Sequence, residues 1–155
     1  MLIIKPVLQQ GPDLDTIKLL FEEYSKGLDE NLCFQSFDKE LDDPLYKYSP
    51  PKGALFLAFF NEKPAGCIAI QPLDEGVCEM KRLYVRESFR KLGIADELVI
   101  FSLKKATEIG YKTMVLDTLE RLQPALKLYL KHEFVVTDAY YQNPLPGVVY
   151  MKKTL

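Results

Sequence analysis

Residues 77–95 read V-C-E-M-K-R-L-Y-V-R-E-S-F-R-K-L-G-I-A, and the fold turns on how this stretch divides. Val77 to Val85 has the apolar and β-branched content of a strand. Ile94 begins a helical spacing of apolar residues, continued by Leu98, Phe101 and Leu103, that runs to Ile109 and stops at Gly110. Residues 86–93 therefore form a strand-to-helix junction. A strand covered on both faces should be almost continuously apolar, yet this one carries Glu79, Lys81 and Arg82. Alternation puts Glu79, Lys81 and Leu83 on one face and Met80, Arg82 and Tyr84 on the other, unless a bulge intervenes. Glu79 is then either paired with Lys81 or Arg82, or exposed in a cleft.

Working outward, the pattern predicts two more strands just upstream, Ala54 to Phe60 and Ala65 to Leu73, joined by turns at Asn61–Pro64 and Asp74–Gly76. Connections this short imply an antiparallel meander. Leu2 to Leu8 is a first strand in which Pro6 argues for a sheet edge. A helix follows from Asp13 to about Leu28, with Leu14, Ile17, Leu20, Phe21 and Tyr24 in one stripe. Ser36 to Leu41 suits a short helix, and Pro44, Pro50, Pro51 and Gly53 mark a loop. Downstream come a strand from Met114 to Leu119, a helix from Pro124 to His132, and two strands, Phe134 to Tyr140 and Val148 to Leu155. The order is β-α-(α)-β-β-β-α-β-α-β-β. A meander feeding a right-handed β-α-β crossover makes the sheet mixed. The expectation is one α+β domain spanning 1–155, with helices on both faces of a mostly antiparallel sheet.

Composition narrows the function. The chain has 155 residues, 48% hydrophobic and 27% charged, with a net charge of −2. That suffices for one core and leaves no basic footprint for nucleic acid. Cys33, Cys67 and Cys78 lack C-x-x-C spacing and His132 is the only histidine, so we expect reduced thiols, a cytoplasmic protein and no metal. No apolar run is long enough to cross a bilayer, and M-L-I-I-K-P is interrupted too early to suggest a signal peptide.

Two further features carry chemistry. A helix N-terminus offers unpaired N–H groups and partial positive charge, which suits phosphate. Gly93 and Ala95 would let the backbone approach, and Arg90 and Lys91 add charge. Taken alone, R-K-L-G-I-A also fits a solvated basic loop that starts a helix. Neither G-x-G-x-x-G nor the Walker sequence is present. Tyr129 lies on the helix from Pro124, where packing against Ala125, Leu128 and Phe134 is the plain explanation.

Together these features resemble the GCN5-related N-acetyltransferases (GNAT). The family's E-[apolar]-x-x-[apolar]-x-V strand is matched by E-M-K-R-L-Y-V from Glu79, and its R/Q-x-x-G-x-G/A loop by R-K-L-G-I-A from Arg90. Its later A-x-x-[apolar]-Y helix is matched by A-L-K-L-Y from Ala125. This sequence departs in having Glu133 where glycine is usual and His132 where leucine is common. Ala95 stands for a more frequent glycine, and no asparagine lies within 119–123.

The resemblance implies a GNAT-type sheet of about six or seven strands and transfer of an acetyl group from acetyl-CoA to a primary amine of a small molecule or peptide. Transfer would be direct, in a ternary complex. Backbone groups of Leu83, Tyr84 and Val85 would pair with the pantetheine arm, and Arg90, Lys91, Leu92, Gly93, Ile94 and Ala95 would hold the pyrophosphate. Glu79 would be the base and Tyr129 the proton donor to the leaving thiolate, with the Leu83 N–H meeting the oxyanion. Tyr24, Phe34, Tyr140, Tyr141 and Asn143 are available to line the acceptor site, and Glu22, Glu23, Asp29 and Glu30 to attract a cation. Exposed strand edges permit a homodimer. The competing readings are a non-catalytic acyl-CoA-binding regulatory domain and, more remotely, an unrelated small-molecule binder.

Overall fold

The computed structural model describes residues 1–32 and 36–155; Cys33 and Phe34 lie outside the described residues. Seven strands form a single sheet in the order β1-β2-β3-β4-β5-β7-β6. They are β1 (Leu2–Pro6), β2 (Ala54–Phe60), β3 (Lys63–Asp74), β4 (Val77–Val85), β5 (Thr113–Leu119), β6 (Val135–Thr137) and β7 (Val148–Thr154). The helices are α1 (Pro12–Leu28), α2 (Phe37–Asp42), α3 (Ile94–Ile109) and α4 (Gln123–Lys131). All pairings are antiparallel except β4 with β5. This is the expected mixed α+β architecture, with β1 and its Pro6 at one edge.

Each face of the sheet has its own core. On one, α3 and α4 cover Ile68, Ile70, Met80, Met114 and Leu116, with Leu98 and Tyr129 among the helix residues that seal it. On the other, the α1 stripe of Leu14, Ile17, Leu20 and Phe21 packs on Leu55, Leu57, Cys67 and Ala69. Leu14, Ile17, Leu20 and Phe21 are fully buried, and truncating one such side chain to alanine typically costs about 2–5 kcal/mol.

Two irregularities in β4 make the functional region. The first is a bulge. Cys67 pairs with Tyr84 and Ala69 with Lys81, so Ile68 of β3 opposes both Arg82 and Leu83. Arg82 takes up the extra residue with φ 60, the left-handed region. Plain alternation is thereby corrected. Leu83 moves to the α3 face with Met80 and Val85, whereas Arg82 and Tyr84 join the α1 side. Gly66 lies beside this step, and a Cβ there would stand 2.5 Å from the Tyr84 carbonyl oxygen.

The second irregularity is a splay. The parallel register runs Val77↔Thr113, Cys78↔Met114, Glu79↔Val115 and ends there. Beyond it β5 continues to Leu119 on β7 alone, so the Leu83–Val85 edge faces a gap.

The end of the chain departs from expectation. β6 stops at Thr137, and Tyr140 is not in a strand. Residues 138–147 instead form a loop that returns across the sheet, held by Tyr150 Oη, which donates to the Tyr141 carbonyl at 2.8 Å and accepts from the Asn143 N–H at 3.0 Å.

Candidate active site

The gap beside β4 opens into a cleft of about 680 Å³. Leu83, Tyr84 and Val85 form one wall, and Leu122, Pro124, Ala125, Leu128 and Tyr129 of the α4 region form the other. The floor is the junction from Phe89 to Asp96. Gly93 caps α3 with φ 79 and Lys91 also has positive φ, at 65. Left-handed residues at the entrance to a helix can turn successive N–H groups into one concavity, a geometry that holds anions. A Cβ on Gly93 would meet nothing within 4 Å, so the cradle is open there. Arg90 braces the loop, its Nε donating to the Val85 carbonyl at 3.0 Å.

A smaller cavity of about 90 Å³ lies next to the cleft. Tyr24, Leu28, Leu83, Leu122, Ala125 and Tyr129 line both spaces, so they meet at Leu83 and Tyr129. Burial pushes the Tyr129 hydroxyl's pKa well up, with Tyr24 and Asp117 acting in the same direction. It keeps its proton at neutral pH. The polar lining of the smaller cavity is Lys81, Arg82, Asp117, Thr118 and Asn143.

Arg82 is almost wholly buried and forms a bidentate pair with Glu40 of α2, at 2.6 and 2.9 Å. Its guanidinium also stacks near the rings of Tyr24 and Phe37. Burial works against both charges, but the pairing wins: the Glu40 carboxyl lies below, and the Arg82 guanidinium above, its ordinary value.

Asp117 accepts hydrogen bonds from the Tyr141 hydroxyl and from Asn143 Nδ2 at 2.8 Å. Glu79 is 3% exposed, and its carboxylate borders neither space. It accepts from Gln71 Nε2 at 2.6 Å and from the Tyr140 hydroxyl at 2.5 Å, with Lys81 Nζ 4.0 Å away. Burial and the adjacent Glu79 push the Tyr140 hydroxyl's pKa up. Burial and the neighbouring Arg82 lower that of Lys81, against the pull of Glu79 and Asp117.

Comparison with known proteins identifies this arrangement. The acetyltransferase (GNAT) family matches residues 17–134. The chain belongs to the GNAT acetyltransferase family. It is 44% identical over 142 residues to an uncharacterized N-acetyltransferase of Schizosaccharomyces pombe, covering 90% of this chain and 87% of the relative. The fold is that of a crystallised acetyltransferase from Streptococcus agalactiae, with TM-score 0.81, 20% identity and coverage of 99% and 98% of the two chains. It is also that of a GNAT acetyltransferase from Elizabethkingia anophelis solved with acetyl-CoA bound, with TM-score 0.65, 24% identity and coverage of 99% and 98%.

Set on this GNAT frame, eight of the nine residues expected at the cofactor line the larger cleft; Leu92 does not, and is 49% exposed. Of the expected acceptor residues, Tyr24 lines both spaces and Asn143 the smaller one. Tyr140 and Tyr141 are turned to carboxylates. Phe34 lies outside the described residues. Glu23 is held by Arg86, at 2.8 and 3.0 Å, and by the Tyr84 hydroxyl; Glu30 pairs with Arg121. These two therefore serve as internal partners rather than as bait for a cation. Cys67 and Cys78 are free and buried, and burial pushes both thiols up, Cys78 to about 12. Neither is poised as a nucleophile.

Sequence reasoning missed Asp117, Lys81 and Glu40 as parts of the site. The signal for Asp117 was available: a carboxylate inside L-D-T-L, a strand otherwise buried on both faces, is the same anomaly that drew attention to Glu79. Among the described residues no helix is long and apolar enough to cross a membrane.

Proposed function

We propose that this chain transfers an acetyl group from acetyl-CoA to a primary amine by direct attack in a ternary complex. The observation that carries this reading is the pair of spaces meeting at Leu83 and Tyr129. The long apolar cleft with an anion cradle at its far end suits pantetheine and pyrophosphate, and the small polar cavity suits an amine. The Leu83–Val85 edge, which β5 does not pair, suits strand-like pairing with an amide-bearing arm.

An aliphatic amine with pKa about 10 arrives as ammonium and must lose a proton before it attacks. Glu79 is the proposed final acceptor of that proton. Because it borders neither space, the proton reaches it through a relay of water or Lys81, whose ammonium gives one proton to Glu79 as it takes another. The neutral nitrogen then attacks the thioester carbon, the C–N bond forms and the C–S bond breaks. Negative charge on the carbonyl oxygen is met by the Leu83 N–H. The Tyr129 hydroxyl donates to the departing sulfur, and the second proton that the nitrogen sheds as the amide forms replaces it.

Tyr129→Phe should lower kcat by about a hundredfold with little change in acetyl-CoA affinity. Glu79→Gln should lower kcat comparably and abolish the acid limb of the pH–rate profile. Full turnover in either variant removes that residue's role. A chain that binds acetyl-CoA but releases no free thiol with any amine would be the regulatory domain instead.

A further inference from the structure

We infer that the acceptor is an amino acid, bound as a zwitterion with its ammonium on Asp117 and its carboxylate on Lys81. This rests on the acetyltransferase reading above and names the substrate class of the same site.

Among the described residues, Lys81, Arg82 and Asp117 are the acidic and basic side chains that border the smaller cavity. The Arg82 charge is taken up by the bidentate contact with Glu40, so the cavity itself presents Lys81 and Asp117. Both border the same space of about 90 Å³. Asp117 receives hydrogen bonds from a phenol and an amide, both neutral donors, which orient its carboxylate without cancelling its charge. Lys81 is 4.0 Å from a Glu79 carboxylate whose two oxygens are already hydrogen-bonded to Gln71 and Tyr140. An ammonium has three donors, so Lys81 can serve Glu79 and a ligand carboxylate together.

A ligand with one positive and one negative end completes an alternation of charges running from Glu79 through Lys81 and the ligand to Asp117. Other amines fit less well. A diamine or polyamine would place a second ammonium beside Lys81 and Arg82 in a poorly hydrated space, where like charges repel strongly. The remaining lining is chiefly leucine, from Leu28 and Leu32 to Leu145, and a volume of about 90 Å³ admits a head group of a few heavy atoms rather than a folded peptide. The side chain of the acceptor would extend toward the larger cleft, which shares the wall at Leu28 and Leu122.

The transfer is balanced as before. The amino acid's ammonium loses one proton through water toward Glu79, its nitrogen bonds to the acetyl carbon as the C–S bond breaks, and the nitrogen's second proton replaces the one that Tyr129 gives the departing thiolate, leaving an N-acetylamino acid and free CoA.

The test measures free-thiol release from acetyl-CoA with each L-amino acid against its own carboxamide, and with 1,4-diaminobutane. The carboxamide's amine gives up its proton more readily, so intrinsic reactivity favours the amide; any preference for the acid must come from the site. We expect kcat/KM at least tenfold higher for the best amino acid than for its carboxamide, that ratio falling toward one in Lys81→Met. Asp117→Asn should raise KM for the amino acid more than it lowers kcat. Equal or better turnover of the carboxamide, or turnover confined to the diamine, overturns the inference and leaves the acetyltransferase reading intact. So does an absence of thiol release with every amino acid while acetyl-CoA still raises the melting temperature. Should acetyl-CoA not stabilise the chain at all, the acetyltransferase reading itself fails and takes this inference with it. The wild-type ratio is decisive even where a variant folds poorly.

Discussion

The larger cleft and the smaller cavity share a wall at Leu83 and Tyr129, yet they are built in opposite ways. The cleft is a product of backbone: an unpaired strand edge after the bulge, a left-handed Lys91 and Gly93, and the N-terminus of α3. The cavity is a product of side chains brought from far apart. Glu40 meets Arg82 across 42 residues of sequence, and Asn143 meets Asp117 across 26. A backbone site tolerates changes of side chain. A side-chain site changes whenever one partner does.

The largest expected effect comes from the side-chain half. Glu40→Ala leaves a buried guanidinium without its counter-charge, which should cost about 3–5 kcal/mol in urea unfolding. Glu40→Leu with Arg82→Met should recover most of that loss while altering acceptor kinetics. If the double variant is no more stable than the single one, the pair is not what makes the first change costly.

The backbone half is probed by Gly66→Ala. Its Cβ would lie 2.5 Å from the Tyr84 carbonyl oxygen, so β4 must shift, at about 1–3 kcal/mol. Because the shift falls on the cleft wall, acetyl-CoA should bind more weakly, and the KM of the acceptor should change less. A variant with unaltered acetyl-CoA affinity would separate the bulge from the donor site.

Acid should act on the two halves unequally. The Glu40 carboxyl is desolvated by burial, which raises its pKa, but the hydrogen bond and charge of Arg82 outweigh this and hold it below 4.5. A carboxyl depressed in the folded state contributes its full stability above the unfolded value, and loses it as pH falls through the folded one. The wild-type urea midpoint should therefore fall as the pH drops below 4.5, more steeply than that of the double variant. Parallel slopes would contradict a linked Glu40.

The same contrast explains what was legible in the sequence. Strand β4, the junction and α3 form one contiguous run, so their spacing sufficed to place the cleft. The bulge left no local signature beyond two adjacent cations, and without it Arg82 is assigned to the wrong face. The start of the return loop reads as continued strand because F-V-V-T-D-A-Y is rich in strand formers; what ends β6 at Thr137 is tertiary, the hydrogen bonds of Tyr140, Tyr141 and Asn143 to Glu79, Asp117 and Tyr150. Partnerships at such separation are set by packing, and no periodicity encodes them.

Glu133 gives the smallest effect. It has φ 70, in the left-handed region that favours glycine. Its N–H bonds the Leu130 carbonyl and that of Phe134 bonds Tyr129, a Schellman closure of α4 with the Tyr129 and Phe134 rings in contact. Glu133→Gly should relieve the left-handed strain and stabilise the fold by about 0.5–1 kcal/mol, leaving kinetics unchanged. Altered turnover would mean that this helix end reaches the chemistry through Tyr129.

Everything proposed for the acceptor depends on the cleft binding the donor, and thermal melting with acetyl-CoA measures that without knowledge of the amine. At a ligand concentration of 100 times Kd the stabilisation is about 2.7 kcal/mol, a rise of about 5–10 °C for a domain of this size. The account predicts that rise for the wild-type chain, and a clearly smaller one for Gly93→Val, whose side chain would occupy the open cradle. A wild-type melting temperature unmoved by saturating acetyl-CoA would contradict it.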